Sequence, residues 1–370
     1  MRVLLTGAHG FLGWHTRLRL QALSAHEVIP VGRDSWDELE DLCAGVDAVI
    51  HIAGVNRADS DQEVHEGNVS LAHDLARAIT AARTPLRVVY ANSIQAGNGT
   101  PYGTGKQDAA TVLREVATAT GGQFVDVLLP NIFGEHGRPQ YNSFVATFVH
   151  ATVAGNNVTI NDNLVGLLHV QDAARSLVDG LTTDGADLRP EPETHGVQEV
   201  WDLLQEFHST YIPTGEIPDL STKFRIDLFN TYRAALFPDY YPIALVPHAD
   251  ARGAFVETVR CRGGEGQTSF STTVPGITRG EHYHLSKIER FAVIRGKGTM
   301  ELRRMFTDEV LTFEVDGDRP VAIDMPVGWV HNITNTGDDV LFTQFWSHEL
   351  FRPEAPDTFP EPVRPQEQRP

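Results

Sequence analysis

Cysteine is scarce in this chain. Cys43 and Cys261 are the only two in 370 residues, which excludes both a disulfide framework and a paired thiolate metal site, and each is expected to be a small buried apolar residue. Basic residues are also in deficit: 30 Lys and Arg stand against 49 Asp and Glu, a net charge of −19. With no basic patch, nucleic acid and anionic membrane surfaces are excluded as partners. An anionic ligand must then be met by local donors, which Gly-rich turns and helix N-termini provide without net charge. Long apolar runs are missing too. The opening MRVLLTGAHG is too short for the core of a signal peptide, and no later run approaches the roughly 18 residues of a membrane helix. A cytoplasmic enzyme is the expectation.

What is present is the composition of an ordinary globular protein, 41% hydrophobic and 21% charged, in a chain long enough for two domains of about 150 residues each. Residues 2–5 form a short apolar run, and TGAHGFLG follows it directly before a helical pattern from Trp14 to Leu23. Gly7, Gly10 and Gly13 allow a tight turn, close approach of a pyrophosphate to backbone N–H groups, and close helix-to-strand packing. A second strand, Glu27 to Val31, ends at Gly32 and Arg33. An acidic residue that would bond the ribose 2′-hydroxyl of NAD is missing there, and Arg33 suits a 2′-phosphate, so NADP(H) is expected. Further strands are expected at 47–52, 86–91 and 123–129, with a long helix from Glu63 to Ala82.

The fourth strand is followed by NSIQAGNGTPYGTGK. Thr100 and Pro101 suit an N-cap and a first helical residue, so Tyr102 and Lys106 fall at i and i+4 on one helix face. An ammonium beside a phenol should lower its pKa from about 10 and ease proton exchange near neutrality. Ser93, at the strand end, is placed to hydrogen-bond the reacting oxygen.

The G-x-x-G-x-x-G spacing resembles that of the extended short-chain dehydrogenases. That resemblance implies Ser93, Tyr102 and Lys106 as catalytic residues, with Lys106 also bonding the nicotinamide ribose. It implies cofactor contacts at Gly7, Gly10, Phe11, Leu12, Gly13, Arg33, Ala53, Gly54 and Asn131, the last in the turn Pro130 to Gly134. Asn68 and Val69, Gln140 to Ser143 at the start of a helix, and His169 to Asp172 also fall at family-like positions. Two departures stand out: relatives commonly carry Ser where Gly105 precedes the Lys, and many carry Arg where Leu128 stands. Helical patterns at Val197–His208 and Phe229–Leu236 suit a cap over the substrate.

Near Phe237 to Pro242 the pattern changes to short strands between Gly- and Asp-rich turns. Here Gly276 to Gly296, GITRGEHYHLSKIERFAVIRG, places His282 and His284 two apart and Glu289 five further on, and His331 follows in PVGWVHNITN. Strand alternation puts the two histidines on one face, and a paired strand could bring Glu289 beside them. Three or four N/O ligands suit zinc, iron, manganese, nickel or copper.

Both histidine segments resemble the paired signature of the cupins, small β-barrels that hold a metal, although the second has Pro320 where a glycine is usual. Asp250-x-Arg252-Gly253-x-Phe255-x-Glu257 resembles the entry of the dTDP-sugar 3,5-epimerases, also cupins. The expected fold is therefore α/β plus all-β: an N-terminal Rossmann-type doubly wound parallel sheet over 1–243, including the cap, then a C-terminal cupin β-barrel over 244–353. Residues 354–370, rich in Pro and Glu, read as a disordered tail.

Taken whole, the order of motifs, with GVNR, NSIQA, YNS, GITRG and PVGWVHNI, closely resembles the bifunctional capsular polysaccharide enzymes of the UDP-N-acetyl-L-fucosamine pathway. The resemblance implies a homodimer that uses NADPH and one divalent metal, most simply zinc held by His282, His284, Glu289 and His331. It implies C3 epimerisation of a UDP-2-acetamido-2,6-dideoxy-4-keto-hexose in the cupin, then reduction at C4 to the L-talose product. The alternatives are a plain NADP-dependent 4-keto sugar-nucleotide reductase whose cupin only binds or dimerises, and a non-enzymatic NADP(H) sensor.

Overall fold

The computed structural model describes residues 1–185 and 187–365. Contacts divide the chain into two units, Met1–Thr147 with Ile160–Val197, and Phe148–Thr159 with Gln198–Pro370.

The first unit begins β1 (Arg2–Thr6), α1 (Phe11–Leu23), β2 (Glu27–Val31), α2 (Leu39–Cys43), β3 (Ala48–His51) and α3 (Asp61–Ala82). It continues β4 (Arg87–Ser93), α4 (Pro101–Ala119), β5 (Gln123–Leu129), β6 (Asn131–Phe133), α5 (Phe144–Val153), whose residues from Phe148 on belong to the second unit, β7 (Leu164–His169), α6 (Val170–Asp179) and β8 (Glu193–Gly196). Five strands form a parallel, Rossmann-like sheet in the order β2-β1-β3-β4-β5. Strand order reverses between β1 and β3, and in doubly wound sheets ligands bind beyond the C-terminal strand ends at such a switch point. Helices cover both faces. On one, Leu4, Val49 and Val88 pack with Leu75, Ile79 and Leu113 of α3 and α4; on the other, Val3, Leu5, Ile50 and Val89 pack with Leu20 of α1 and Leu177 of α6. Strand residues alternate between the two cores as the pleat requires.

Local chemistry explains where the helices start. Ser60 Oγ accepts the Glu63 N–H at 3.2 Å and Glu63 Oε2 accepts the Asp59 N–H at 3.1 Å, a capping box one residue wide of the ideal. Thr100 Oγ1 accepts the Gly103 N–H at 3.1 Å with Pro101 next, so α4 begins where the sequence places it. Gln140 to Asn142 precede α5 as a turn rather than starting it.

In the second unit α7 (Val197–Thr214), β9 (Ile217–Asp219) and α8 (Lys223–Leu236) precede the strands β10 (Ile243–Ala244), β11 (Pro247–Asp250), β12 (Gly253–Val256), β13 (Cys261–Gly263) and β14 (Gln267–Thr273). Then come β15 (Thr278–Tyr283), β16 (Glu289–Arg295), β17 (Lys297–Arg304), β18 (Val310–Asp316), β19 (Val321–Met325), β20 (Trp329–Asn335), β21 (Leu341–Ser347) and β22 (Phe359–Pro360). They build two five-stranded sheets, β10-β19-β16-β21-β14 and β18-β17-β20-β15-β22. Among the described residues neither closes on itself through hydrogen bonds. Cys261, expected buried, is exposed, whereas Cys43 is buried; Cys261 lies on the two-stranded ladder with β9, which covers only part of it.

Residues 198–243, which the sequence reading counts with the N-terminal domain, fall in this second unit. Buried polar contacts account for it. Tyr211 donates to Asp324 at 2.5 Å, Tyr241 lies 2.6 Å from the Tyr211 hydroxyl, and Arg290 bonds both Asp324 oxygens at 2.6 and 2.9 Å. From α8, Arg233 donates to the Met325 carbonyl at 3.0 Å and Asn230 to that of Ser286 at 2.7 Å. The tail is a second correction. Residues 354–365, expected to be disordered, are held by β22 against β15, by buried Val363, and by Arg303, which donates to the Val363 and Pro362 carbonyls. Composition hides such anchors; the remainder of the tail lies outside the described residues.

Candidate active site and metal centre

In the first unit, the turn after β1 leaves no room for side chains. Gly7 has φ +69°, and a Cβ there would stand 2.8 Å from the Ala53 nitrogen; one on Gly13 would stand 1.9 Å from the Gly7 oxygen. Gly10 stands at the N-cap of α1 and makes no side-chain cap bond to its first N–H groups. Phe11 and Leu12 are half-buried in its first turn.

The Ala53–Gly54 loop beyond β3 is pinned from below. Thr6 Oγ1 accepts the Ile52 and Ala53 N–H groups at 3.1 and 3.2 Å, so its own proton goes to His51 Nδ1, 2.8 Å away. His51 is accordingly neutral: burial, then the Lys106 charge, pushes its pKa down to about 3. Asn68 closes the loop from α3, bonding both the N–H and the carbonyl of Val55 at 3.2 and 2.7 Å. Arg33 is exposed beyond β2 and, among the described residues, makes no ion pair. Asn131 is exposed on β6, its side chain donating to the Gly166 carbonyl at 3.3 Å.

Ser93 at the end of β4 and Tyr102 in the first turn of α4 stand near enough for the Ser93 hydroxyl to favour the phenolate. Lys106, one turn on, is buried; its ammonium donates to the Ala91 carbonyl at 2.6 Å and lies 4.2 Å from the centre of the Tyr90 ring. The expected lowering of the Tyr102 pKa by Lys106 is not what the structure gives. Burial raises the phenol, and only the nearby Ser93 hydroxyl acts the other way. Lys106 itself is pushed down to about 7 by burial, against the pull of Asp126.

Gly105 has a packing reason: a Cβ there would meet the His65 Cα of α3 at 3.0 Å. Two further groupings join residues that the sequence does not link to one another. Arg57 donates to Asn142 at 3.2 Å and to the Gln140 carbonyl at 2.8 Å, joining GVNR to YNS. Glu135, fully buried, lies 3.3 Å from His169 and accepts at its main-chain oxygen from His15. Burial pushes its carboxyl up, but His169 and His15 outweigh that and hold it at about 2.

In the second unit, His282 of β15 lies directly opposite His331 of β20 in the antiparallel ladder. His284 follows just past the end of β15, and Glu289 opens β16. Hairpin pairing, the expected route for Glu289, is not used, because β15 and β16 belong to different sheets; residues 285–288 carry the chain across. The three Nε2 atoms converge on Glu289 Oε2, at 3.8 Å from His282, 3.1 Å from His284 and 3.4 Å from His331. All four ligand atoms lie within 4.8 Å of one another.

The donor set fits a divalent metal. His284 Nδ1 stands 2.5 Å from the Asp357 carbonyl and His331 Nδ1 3.2 Å from that of Trp329. A carbonyl oxygen only accepts, so both Nδ1 atoms carry the proton and both Nε2 lone pairs face the Glu289 carboxylate. Lone pairs opposed in this way need a cation or a proton between them. His331 Nε2, buried, has no hydrogen-bond partner of good geometry. Burial pushes the Glu289 carboxyl up, but the imidazoles around it, His284 first, outweigh that and hold it well below its usual range.

Comparison with known proteins covers both units. The profile of the NAD dependent epimerase/dehydratase family matches residues 3–187, and that of the polysaccharide biosynthesis C-terminal domain matches residues 248–359. A UDP-2-acetamido-2,6-beta-L-arabino-hexul-4-ose reductase of Pseudomonas aeruginosa is 34% identical over 368 residues, 97% of this chain and 98% of its own. The spore coat polysaccharide biosynthesis protein SpsL of Bacillus subtilis is 27% identical over 122 residues, 30% of this chain and 81% of its own. Among solved structures, the capsular polysaccharide assembling protein CapF of Staphylococcus aureus is 33% identical, with a TM-score of 0.63 over 98% of this chain and 100% of that one.

Proposed function

The chain belongs to the NAD dependent epimerase/dehydratase family, with a polysaccharide biosynthesis C-terminal domain after it, and from that premise we infer that it is an NADPH-dependent 4-keto sugar-nucleotide reductase with a C3-epimerase activity. The substrate is a UDP-2-acetamido-2,6-dideoxy-4-keto-hexose, epimerised at C3 by the C-terminal domain and reduced at C4 to the UDP-2-acetamido-2,6-dideoxy-L-talose for capsule or O-antigen synthesis. The observation that carries the reading is the approach of Ser93 and Tyr102 beside buried Lys106, whose ammonium donates to the Ala91 carbonyl. A reductase of a UDP-4-keto sugar as a full-length relative supports the substrate class. The two five-stranded antiparallel sheets and the His282, His284, Glu289, His331 cluster support a cupin that holds zinc. The same reading makes the protein a cytoplasmic homodimer.

NADPH, when bound, supplies the hydride. Gly7 to Gly13 and the open start of α1 would receive its pyrophosphate, Ala53 and Gly54 its adenosine side, Asn131 and Lys106 its nicotinamide side, and Arg33 its 2′-phosphate. Ser93 orients the ketone oxygen. Tyr102, its phenol raised by burial, is fully protonated at neutral pH and delivers the proton to that oxygen. In the C-terminal domain, a C4 ketone acidifies the C3 proton. A metal on the three histidines and Glu289 would supply a fixed positive charge there and tie β15, β16 and β20 together.

Incubation of the protein with the UDP-4-keto-6-deoxy-HexNAc in deuterated water, followed by NMR, tests this. Deuterium should enter C3 without NADPH, and the L-talo product should form when NADPH is added. Reduction without exchange at C3 would leave a plain reductase whose C-terminal domain only binds or dimerises. No NADPH oxidation with any 4-keto sugar nucleotide would sink the whole reading.

A further inference from the structure

Asp357 lies far along the chain from every candidate metal ligand, yet its bonds centre on the segment that joins two of them. Oδ1 accepts the Leu285 N–H at 2.9 Å; Oδ2 accepts the Ser286 N–H at 2.9 Å, the Lys287 N–H at 2.7 Å and the Ser286 hydroxyl at 3.1 Å. Its main-chain oxygen accepts from His284 Nδ1 at 2.5 Å. To serve both tasks the residue takes a left-handed backbone conformation, φ +40°, which an L side chain adopts at a cost unless its surroundings demand it.

The neighbouring residues fasten the same place. Lys287 returns a bond to the Pro356 carbonyl at 2.6 Å and to Thr358 at 3.0 Å. Phe359 and Pro360 pair with Tyr283 and His282, and the Phe359 ring packs on that of Tyr283 at 5.6 Å. Val363 donates its N–H to Glu281 at 2.6 Å. Residues 357–363 therefore run along β15 and hold the crossing at 285–288 from outside the ligand cluster.

We propose that Asp357 is a positioning residue of the metal centre, and that residues 357–363 act as a latch that keeps His284 and Glu289 in ligating geometry. This rests on the reading of His282, His284, Glu289 and His331 as a metal site. Two effects combine. The Asp357 carbonyl fixes the proton of His284 on Nδ1, leaving Nε2 free to ligate, as outer partners of metal-bound histidines do. Its carboxylate gathers three successive backbone N–H groups between His284 and Glu289, so the two ligands keep their separation while the chain passes from one sheet to the other. An aspartate suits this: its short side chain lets carboxylate and carbonyl reach adjacent groups of one turn.

The test is Zn²⁺ affinity of the full chain, measured by competition with a coloured chelator on folded protein at 25 °C, for wild type, Asp357→Ala and Asp357→Asn. The alanine variant should bind Zn²⁺ about 10- to 100-fold more weakly. The asparagine variant, which keeps one acceptor oxygen and folds more readily, should fall between, and NADPH affinity should not change in either. A wild-type Zn²⁺ affinity in both variants, even with a lowered Tm, makes the segment a structural strap and overturns the proposal alone. A wild-type protein that binds no Zn²⁺ overturns the metal site itself, and the latch with it.

Discussion

Lys106, a buried residue, holds its ammonium 4.2 Å from the centre of the Tyr90 ring. Burial takes its pKa from 10.5 to about 7. Between those values the unfolded chain keeps a proton that the folded chain has released, so this group makes stability rise with pH across that window, and its cost is fully present below pH 7. Lys106→Met should therefore exceed wild type in stability at pH 6 by on the order of a few kcal/mol, with the gap closing above pH 10. Urea unfolding of both proteins at the two pH values checks it; a gap independent of pH would count against a desolvated ammonium.

Tyr102→Phe removes the proton donor and keeps the ring. The rate of ketone reduction should fall by about 10²- to 10⁴-fold while exchange at C3 continues at the wild-type rate. Joint loss of both activities in a folded variant would contradict separate sites.

Arg33→Asp replaces a guanidinium suited to the 2′-phosphate with a carboxylate that repels it. NADPH affinity should drop by about 10- to 100-fold, and NADH affinity should hold or rise. Fluorescence titration with both dinucleotides reads this directly, and equal affinities for them in the wild type would remove the basis for NADPH.

Gly105→Ser restores the residue that relatives commonly carry, yet it should destabilise this protein. The added Cβ meets the His65 backbone at 3.0 Å, and overpacking of that kind costs about 1–3 kcal/mol, against a helix-propensity gain of about 0.5 kcal/mol. Thermal and urea melts of the variant decide the sign.

Much of this architecture is legible in the sequence because it depends on spacing. Gly7, Gly10 and Gly13 mark a turn that the Gly7 oxygen and Ala53 nitrogen leave no space to alter, and Thr100 with Pro101 fixes the start of α4, hence the face shared by Tyr102 and Lys106. What depends on burial is not legible. The direction of the Tyr102 pKa follows from enclosure of the phenol, and the charge state of Glu135 follows from histidines 120 and 34 residues away. Partner choice among strands is hidden too: the H-x-H spacing says that His282 and His284 share a face, but not that Glu289 arrives from the other sheet. The Pro- and Glu-rich tail misleads for a similar reason, since a few anchors such as Asp357 and Val363 outweigh its average composition.

The bonds that join Tyr241 to Tyr211, and Tyr211 to the Asp324–Arg290 pair, bear on how this protein can be divided. A fragment cut at residue 244, where the sequence changes character, would keep the ion pair but lose both phenols, along with the Arg233 and Asn230 contacts from α8. Recombination or gene dissection that respects the change in sequence texture would thus sever a buried polar network, whereas a cut ahead of α7 would carry it intact. The unit of exchange, for evolution or for the laboratory, is then larger than the strand-rich region alone.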